Sequence, residues 1–443
     1  MKKYILCFML FFGAFFLYAQ NTSRADRGWF LNYFDDPEVT TQLNVPRRVF
    51  EVTLLDAEVD FSNNMLGVND ILKKHLVINV PDLLNRVPDG FKINVGLNAN
   101  ILGLQFNTKT WGFGITPGGI SGGIDLRLPS DLLSFIANGN ADKPLLEDSF
   151  EISGSVFYEF GVNTHFNIDI AGKPLRIGVD PAFYATALYI PKSSLDIVLD
   201  TRDGIYASIG GDFRVYTPVD ITDLGSIDVG SLLSRGGVDL SLSAEYPLFT
   251  RLDVGASFKH IPIVPATLNQ GVQGRIGPIE TNGTISDIND LLEDGGLDNL
   301  INIPDPLLDL KDFGPLKEII VVRPVSMNFY ALYRPLKSDL LVVKPMIGFT
   351  LANNSTDKEI PSDVFFNGSA EVQLHLGAFI PGYLFTLYIN TGAEDGFWHN
   401  RFGFLFNLRV FELDIEAALR SQDYAGAWDP RGASVRVGLR FGW

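Results

Sequence analysis

The feature that most constrains this chain is a two-residue alternation of apolar and polar side chains that recurs along most of its length. Phe91, Ile93, Val95, Leu97 and Ala99 alternate with Lys92, Asn94, Gly96, Asn98 and Asn100. Val238, Leu240, Leu242, Ala244 and Tyr246 alternate with Asp239, Ser241, Ser243 and Glu245. Leu252, Val254, Ala256 and Phe258 alternate with Arg251, Asp253, Ser257 and Lys259. Toward the end, Phe402–Val410 and Leu413–Leu419 repeat the pattern, and Val435, Val437, Leu439, Phe441 and Trp443 form one last stripe. Side chains separated by two residues share a face only in a strand, so the chain is expected to be all-β.

Segments of the same kind lie at 47–62, 111–128, 151–170, 174–190, 204–217, 324–334, 340–352, 364–377 and 382–390. Strands in globular sheets run about five or six residues, whereas a tilted membrane strand needs about 9–11. The long runs fit the second class. Their apolar faces are continuous and their other faces carry Gly, Ser, Asn and charge, which is the pattern of a barrel with lipid outside and a polar interior. The expectation is a transmembrane antiparallel β-barrel of about 14–16 strands. Charges of both signs then face the lumen on neighbouring strands: Asp239 and Glu245 beside Arg251, Asp253 and Lys259, and Glu412, Asp414 and Glu416 beside Arg436 and Arg440. Cross-strand pairing is what such neighbours allow. A solvated sheet of a soluble, exported binding protein is the competing reading of the same alternation.

The opening residues set the compartment. Lys2 and Lys3 precede an apolar stretch from Tyr4 to Phe16, and Ala19 offers a small residue before Gln20. That is the plan of a secretory signal peptide over residues 1–19. Removing it takes two lysines and no acids, so the net charge of −17 becomes −19. Cys7, the single cysteine, goes with it, which excludes disulfide scaffolds, thiol catalysis and Cys-rich zinc sites. The acidic balance also argues against nucleic acid, whose binding needs clustered Lys and Arg. Residues 20–48 read as a lead-in or plug and 49–443 as the barrel.

The closing stripe resembles the last strand of bacterial outer-membrane barrels, which ends in Phe or Trp and is read by the barrel-assembly machinery. That likeness makes Val435, Val437, Leu439, Phe441 and Trp443 the expected assembly signal. It also implies outer-membrane lipid and the assembly machinery as partners, and the cell outer membrane of a diderm bacterium as the location. A second resemblance covers roughly Asn63 to Asp200. Asn69-Asp70-Ile71-Leu72, the strand from Phe91, Pro129-Ser130-Asp131-Leu132-Leu133 and Asn138-Gly139-Asn140 are similar to an uncharacterised family of exported barrels. That family is related in fold to the long-chain fatty-acid transporters, which implies about 14 strands and an N-terminal plug. The Asn-Pro-Ala motif common in those transporters is absent from the N-terminal region.

Residues 264–320 break the alternation and read as a long acidic loop, with Asp287, Asp290, Glu293, Asp294 and Asp298 among Leu and Ile. Their spacing does not match an EF-hand. No two of the five histidines have zinc-ligand spacing, and no Gly-x-Ser-x-Gly elbow occurs. Neither a catalytic constellation nor a cofactor motif is present. The functional expectation is therefore a barrel that passes or binds small solutes, hydrophobic ones included. The alternatives are a structural or adhesive barrel without transport, and a soluble exported binding protein.

Overall fold

A computed structural model describes residues 49–65, 67, 87, 90–108, 110–138, 145–200, 205–218, 234–283, 301–302, 308–336, 340–352, 363–376, 385–394, 397–408, 410–421 and 430–442. The expected signal peptide, the lead-in, Asn69–Leu72, the acidic cluster from Asp287 to Asp298 and Trp443 lie outside these. The first strands are β1 (Phe50–Asn63), β2 (Phe91–Asn107) and β3 (Trp111–Leu128). A short helix, α1 (Ser130–Asn138), with Asp131 in its first turn, leads to two long strands, β4 (Leu145–Ile170) and β5 (Lys173–Asp200). Next come β6 (Ile205–Thr217), β7 (Gly237–Phe249), β8 (Leu252–Val264) and β9 (Ala266–Gly283). They are followed by β10 (Ile301–Asn302), β11 (Leu308–Val321), β12 (Val325–Tyr333) and β13 (Leu341–Ala352). The chain continues through β14 (Asp363–Leu376), β15 (Phe385–Glu394), β16 (Phe397–Leu408), β17 (Phe411–Ser421) and β18 (Gly432–Gly442).

These strands close into an antiparallel barrel of 14 positions. β18 pairs with β17 on one edge and with β1 on the other, from Glu51↔Gly442 to Ser62↔Gly432. Closure leaves neither strand with an open backbone edge, which lipid would penalise. Three positions are each filled by strands placed end to end. β6 and β7 occupy one, β8 and β9 the next, and β12 continues from β11 in the third. A proline stands at each junction: Pro218 after β6, Pro265 between β8 and β9, and Pro324 before β12. Proline cannot donate to a ladder, which suits these three to the junctions, while others such as Pro181, Pro262 and Pro345 are held within paired strands.

Outward apolar side chains belt the barrel. Val59, Val95, Ile101, Phe329, Ile347, Phe366, Ile389, Phe402, Ile415 and Val435 are all exposed. The turns at the end where β1 begins and β18 ends are mostly short, whereas the opposite end carries the long connections 64–90 and 284–307. In outer-membrane barrels the short turns face the periplasm and the long connections face outward, and the second end is accordingly called the outer one.

The region 264–320 corrects the expectation of a loop. It holds β9 and β11, paired from Ala266↔Val321 to Ile276↔Leu308, with residues 284–300 outside the described set. Gly271, Gly274, Pro278 and Pro315 dilute the alternation there, and two register shifts break it. With β6 and the last part of β5, these strands form a sheet that stands beyond the outer rim of the barrel.

Candidate functional site

The interior is built by the inward half of every alternation. Several contacts there skip a strand: Asp60 of β1 meets Arg420 of β17 at 2.8 Å across β18, and Tyr388 of β15 reaches Asp414 and Glu416 of β17 across β16. Such reaches are short only on the concave face of a closed sheet. Arg436 grips Asp56 through Nε at 2.9 Å and Nη2 at 3.0 Å. Arg440 donates to Asp56 at 2.5 Å and to Glu412 at 2.6 Å. On the opposite wall Arg176 donates to Glu245 at 2.8 Å, Tyr330 donates to the other oxygen at 3.3 Å, and Arg334 donates to Asp253 at 2.7 Å.

Eight of the ten charges named from sequence occupy these networks or border them. Asp239, Glu245, Asp253, Glu412, Asp414, Glu416, Arg436 and Arg440 are each at most 4% exposed. Lys259 is half-buried opposite Ser326. Arg251 stands elsewhere, exposed in the β7–β8 turn, where it donates to the Pro335 carbonyl at 3.2 Å. In the closing strand Val435 and Phe441 are exposed and Val437 and Leu439 half-buried, while Trp443 is outside the described residues. Among the described residues, eleven carboxylates and seven cations are buried, so the interior keeps an acidic surplus.

The densest node lies at the outer rim, where the proline junctions meet. Arg323, in the three-residue gap between β11 and β12, holds Asp239 of β7 with two bonds of 2.7 Å. The same guanidinium pairs with Glu159 of β4 and lies 5.0 Å from the Tyr184 ring centre of β5. His260, at φ +56°, brings Nδ1 within 3.5 Å of Asp239. The Tyr184 hydroxyl accepts from the Ala266 N–H at 3.3 Å and donates to the Val321 carbonyl at 3.2 Å. One side chain thus bonds both members of the pair with which the β9–β11 ladder ends. Gly236 and Gly237 sit against the rings of Phe183 and Tyr184, where a Cβ would collide. Above the node, Phe157, Tyr184, Tyr189, Tyr216, Leu268 and Val321 form an apolar cluster.

With the barrel closed and its interior placed, the relatives can be set beside it. Residues 44–259 match a family of unknown function (DUF5723). No curated protein matches the chain. Among solved structures, the Ralstonia pickettii toluene transporter TbuX is similar at 9% identity and a TM-score of 0.44, covering 90% of each chain. The P. putida toluene transporter TodX is similar at 8% identity and a TM-score of 0.40, covering 89% of each. A Pseudomonas aeruginosa FadL homologue follows at 8% identity and a TM-score of 0.36, covering 89% of this chain and 90% of that one.

Sequence reasoning missed Arg323, Glu159, Tyr184, Asp56 and Arg176. For Asp56, Glu159 and Arg176 a signal existed, because each sits at an inward position of a recognised strand. Arg323 had none: it lies in a gap between strands and acts across the barrel, so no local pattern marks it.

Proposed function

We propose that the protein is an outer-membrane barrel that passes or binds small hydrophobic solutes, its entrance being the rim around Arg323. One observation carries the reading: the closed ring has an apolar outer belt and a charged interior, with the apolar cluster of Phe157, Tyr184, Tyr189 and Tyr216 at its outer mouth. A belt of this kind suits lipid, and a ring that encloses polar groups separates them from it. Aromatic rings at the mouth suit solutes that partition from water before they meet the charges below. The closing stripe through Phe441 would serve as the assembly signal on this reading.

Reconstitution of the folded chain into vesicles tests it. Uptake of a small aromatic hydrocarbon should exceed that of protein-free vesicles and saturate with solute. Uptake equal to that of empty vesicles would reject the reading. The sheet beyond the rim favours a second reading, a surface-adhesion barrel, which predicts binding of cells or matrix with no uptake.

A further inference from the structure

We propose that the sheet beyond the rim is a hinged flap over the mouth, and that Arg323 is the latch that holds it. The inference rests on the transport reading for its purpose but on separate observations for its existence. The breaks in three neighbouring wall positions fall at one level. β6 ends at Thr217↔Gln270 and β7 begins pairing at Val238↔Val264; β8 gives way to β9 at Pro265; β11 gives way to β12 over residues 322–324. On the fourth side, β5 shifts register against β4 between Val156↔Leu188 and Phe157↔Thr186. Ladder hydrogen bonds are what make a barrel wall stiff, and here the ladders of three neighbouring positions are interrupted at the level where the β4–β5 ladder bulges. Such a line is where a sheet can bend without losing pairs above or below it.

Across that line β4 and β5 continue with a one-residue bulge, and on the other three positions side chains add to the few backbone links. Arg323 belongs to the hinge itself and binds Asp239 on the barrel side and Glu159 on β4. Tyr184 of the barrel wall bonds Ala266 and Val321, the first and last residues of the flap hairpin β9–β11. Backbone contact here includes the Thr267 N–H donating to the Arg235 carbonyl at 3.0 Å. Arg323 is 3% exposed, so its ion pairs are shielded from water and hold firmly until one partner is lost. Both carboxylates lie on the barrel side of the line, so the guanidinium pins the 322–324 linker, where the flap hairpin ends, to the barrel wall, and its loss frees that linker.

The test measures the flap directly in the full chain folded in vesicles. Cys7, the single native cysteine, is replaced by Ala, and spin labels are placed at Lys317→Cys on β11 and Val364→Cys at the start of β14. A control pair, Val372→Cys and Val435→Cys, spans the belt. With Arg323 intact, the flap pair should show one distance maximum. Arg323→Ala should add a second, separate maximum for the flap pair and leave the control pair unchanged, and hydrocarbon uptake should rise severalfold. Asp239→Asn keeps the shape and removes one charge, and should produce a smaller second population. An unchanged flap distance in folded Arg323→Ala overturns the latch. Failure of both variants to form the barrel also overturns it, since the node would then be a folding element. A distance change with no uptake in any variant upholds the latch and rejects the transport reading instead.

Discussion

Strand β5 carries two regions of this molecule on one run of backbone, and they obey opposite rules. In its barrel part, Arg176 and Asp180 are buried inward while Leu175, Ile177 and Val179 face out. Beyond the bulge at Ala187, Tyr189 and Ile197 are buried and Lys192, Ser194 and Asp196 are exposed. The outer face of the rim is charged as well: Glu151 pairs with Lys192 at 3.0 Å and lies 3.6 Å from Arg127. The alternation has the same period throughout, but the solvent outside the wall has changed. On the proposed outer-membrane reading, lipid meets the lower face and water the upper one, and the boundary falls near Leu188.

Four perturbations grade this difference. The largest effect should come from deleting Val435 to Trp443. That removes the strand between β17 and β1, opens both edges in lipid and abolishes insertion. Normal yield of heat-modifiable protein from the truncated chain would show that closure does not depend on this strand. Next comes Arg440→Ala, which leaves Asp56 and Glu412 buried without their shared cation. A broken buried pair costs about 3–5 kcal/mol, read as a lower urea midpoint for unfolding from vesicles.

The other two substitutions lie on β5 itself and sharpen the comparison. Val179→Arg puts a charge into the belt opposite Leu242 and should cost about 2–4 kcal/mol at mid-depth, in the same unfolding measurement. Ser194→Arg puts the same charge beyond the bulge, opposite Glu151, and should change stability by no more than about 0.5 kcal/mol. Equal costs at the two positions would mean that lipid continues past Ala187.

Much of the barrel was legible because its rule is local. A residue two places along a strand shares a face with the first, and a membrane requires one face to be apolar for the whole crossing. That is why the runs 252–258, 402–408 and 435–441 alternate in exposure and why eight of the ten named charges are buried. Arg251 follows the parity of its strand in sequence but stands at the turn, where the ladder ends and the wall no longer defines an inside. The stretch 264–320 failed for a related reason. Its glycines and prolines blur the period, and its strands, standing beyond the membrane, need no continuous apolar face.

By itself, then, the sequence determined the strand class, the apolar belt and the alternation that buries most of the named charges, since each follows from neighbours one or two residues away. Only the tertiary structure decided that 14 positions close the ring, that three of them are cut at Pro218, Pro265 and Pro324, and that Arg323 joins Asp239 and Glu159 there. Those residues lie far apart along the chain. Curvature of the closed sheet brings them within bonding distance, and the period of a strand holds no record of curvature.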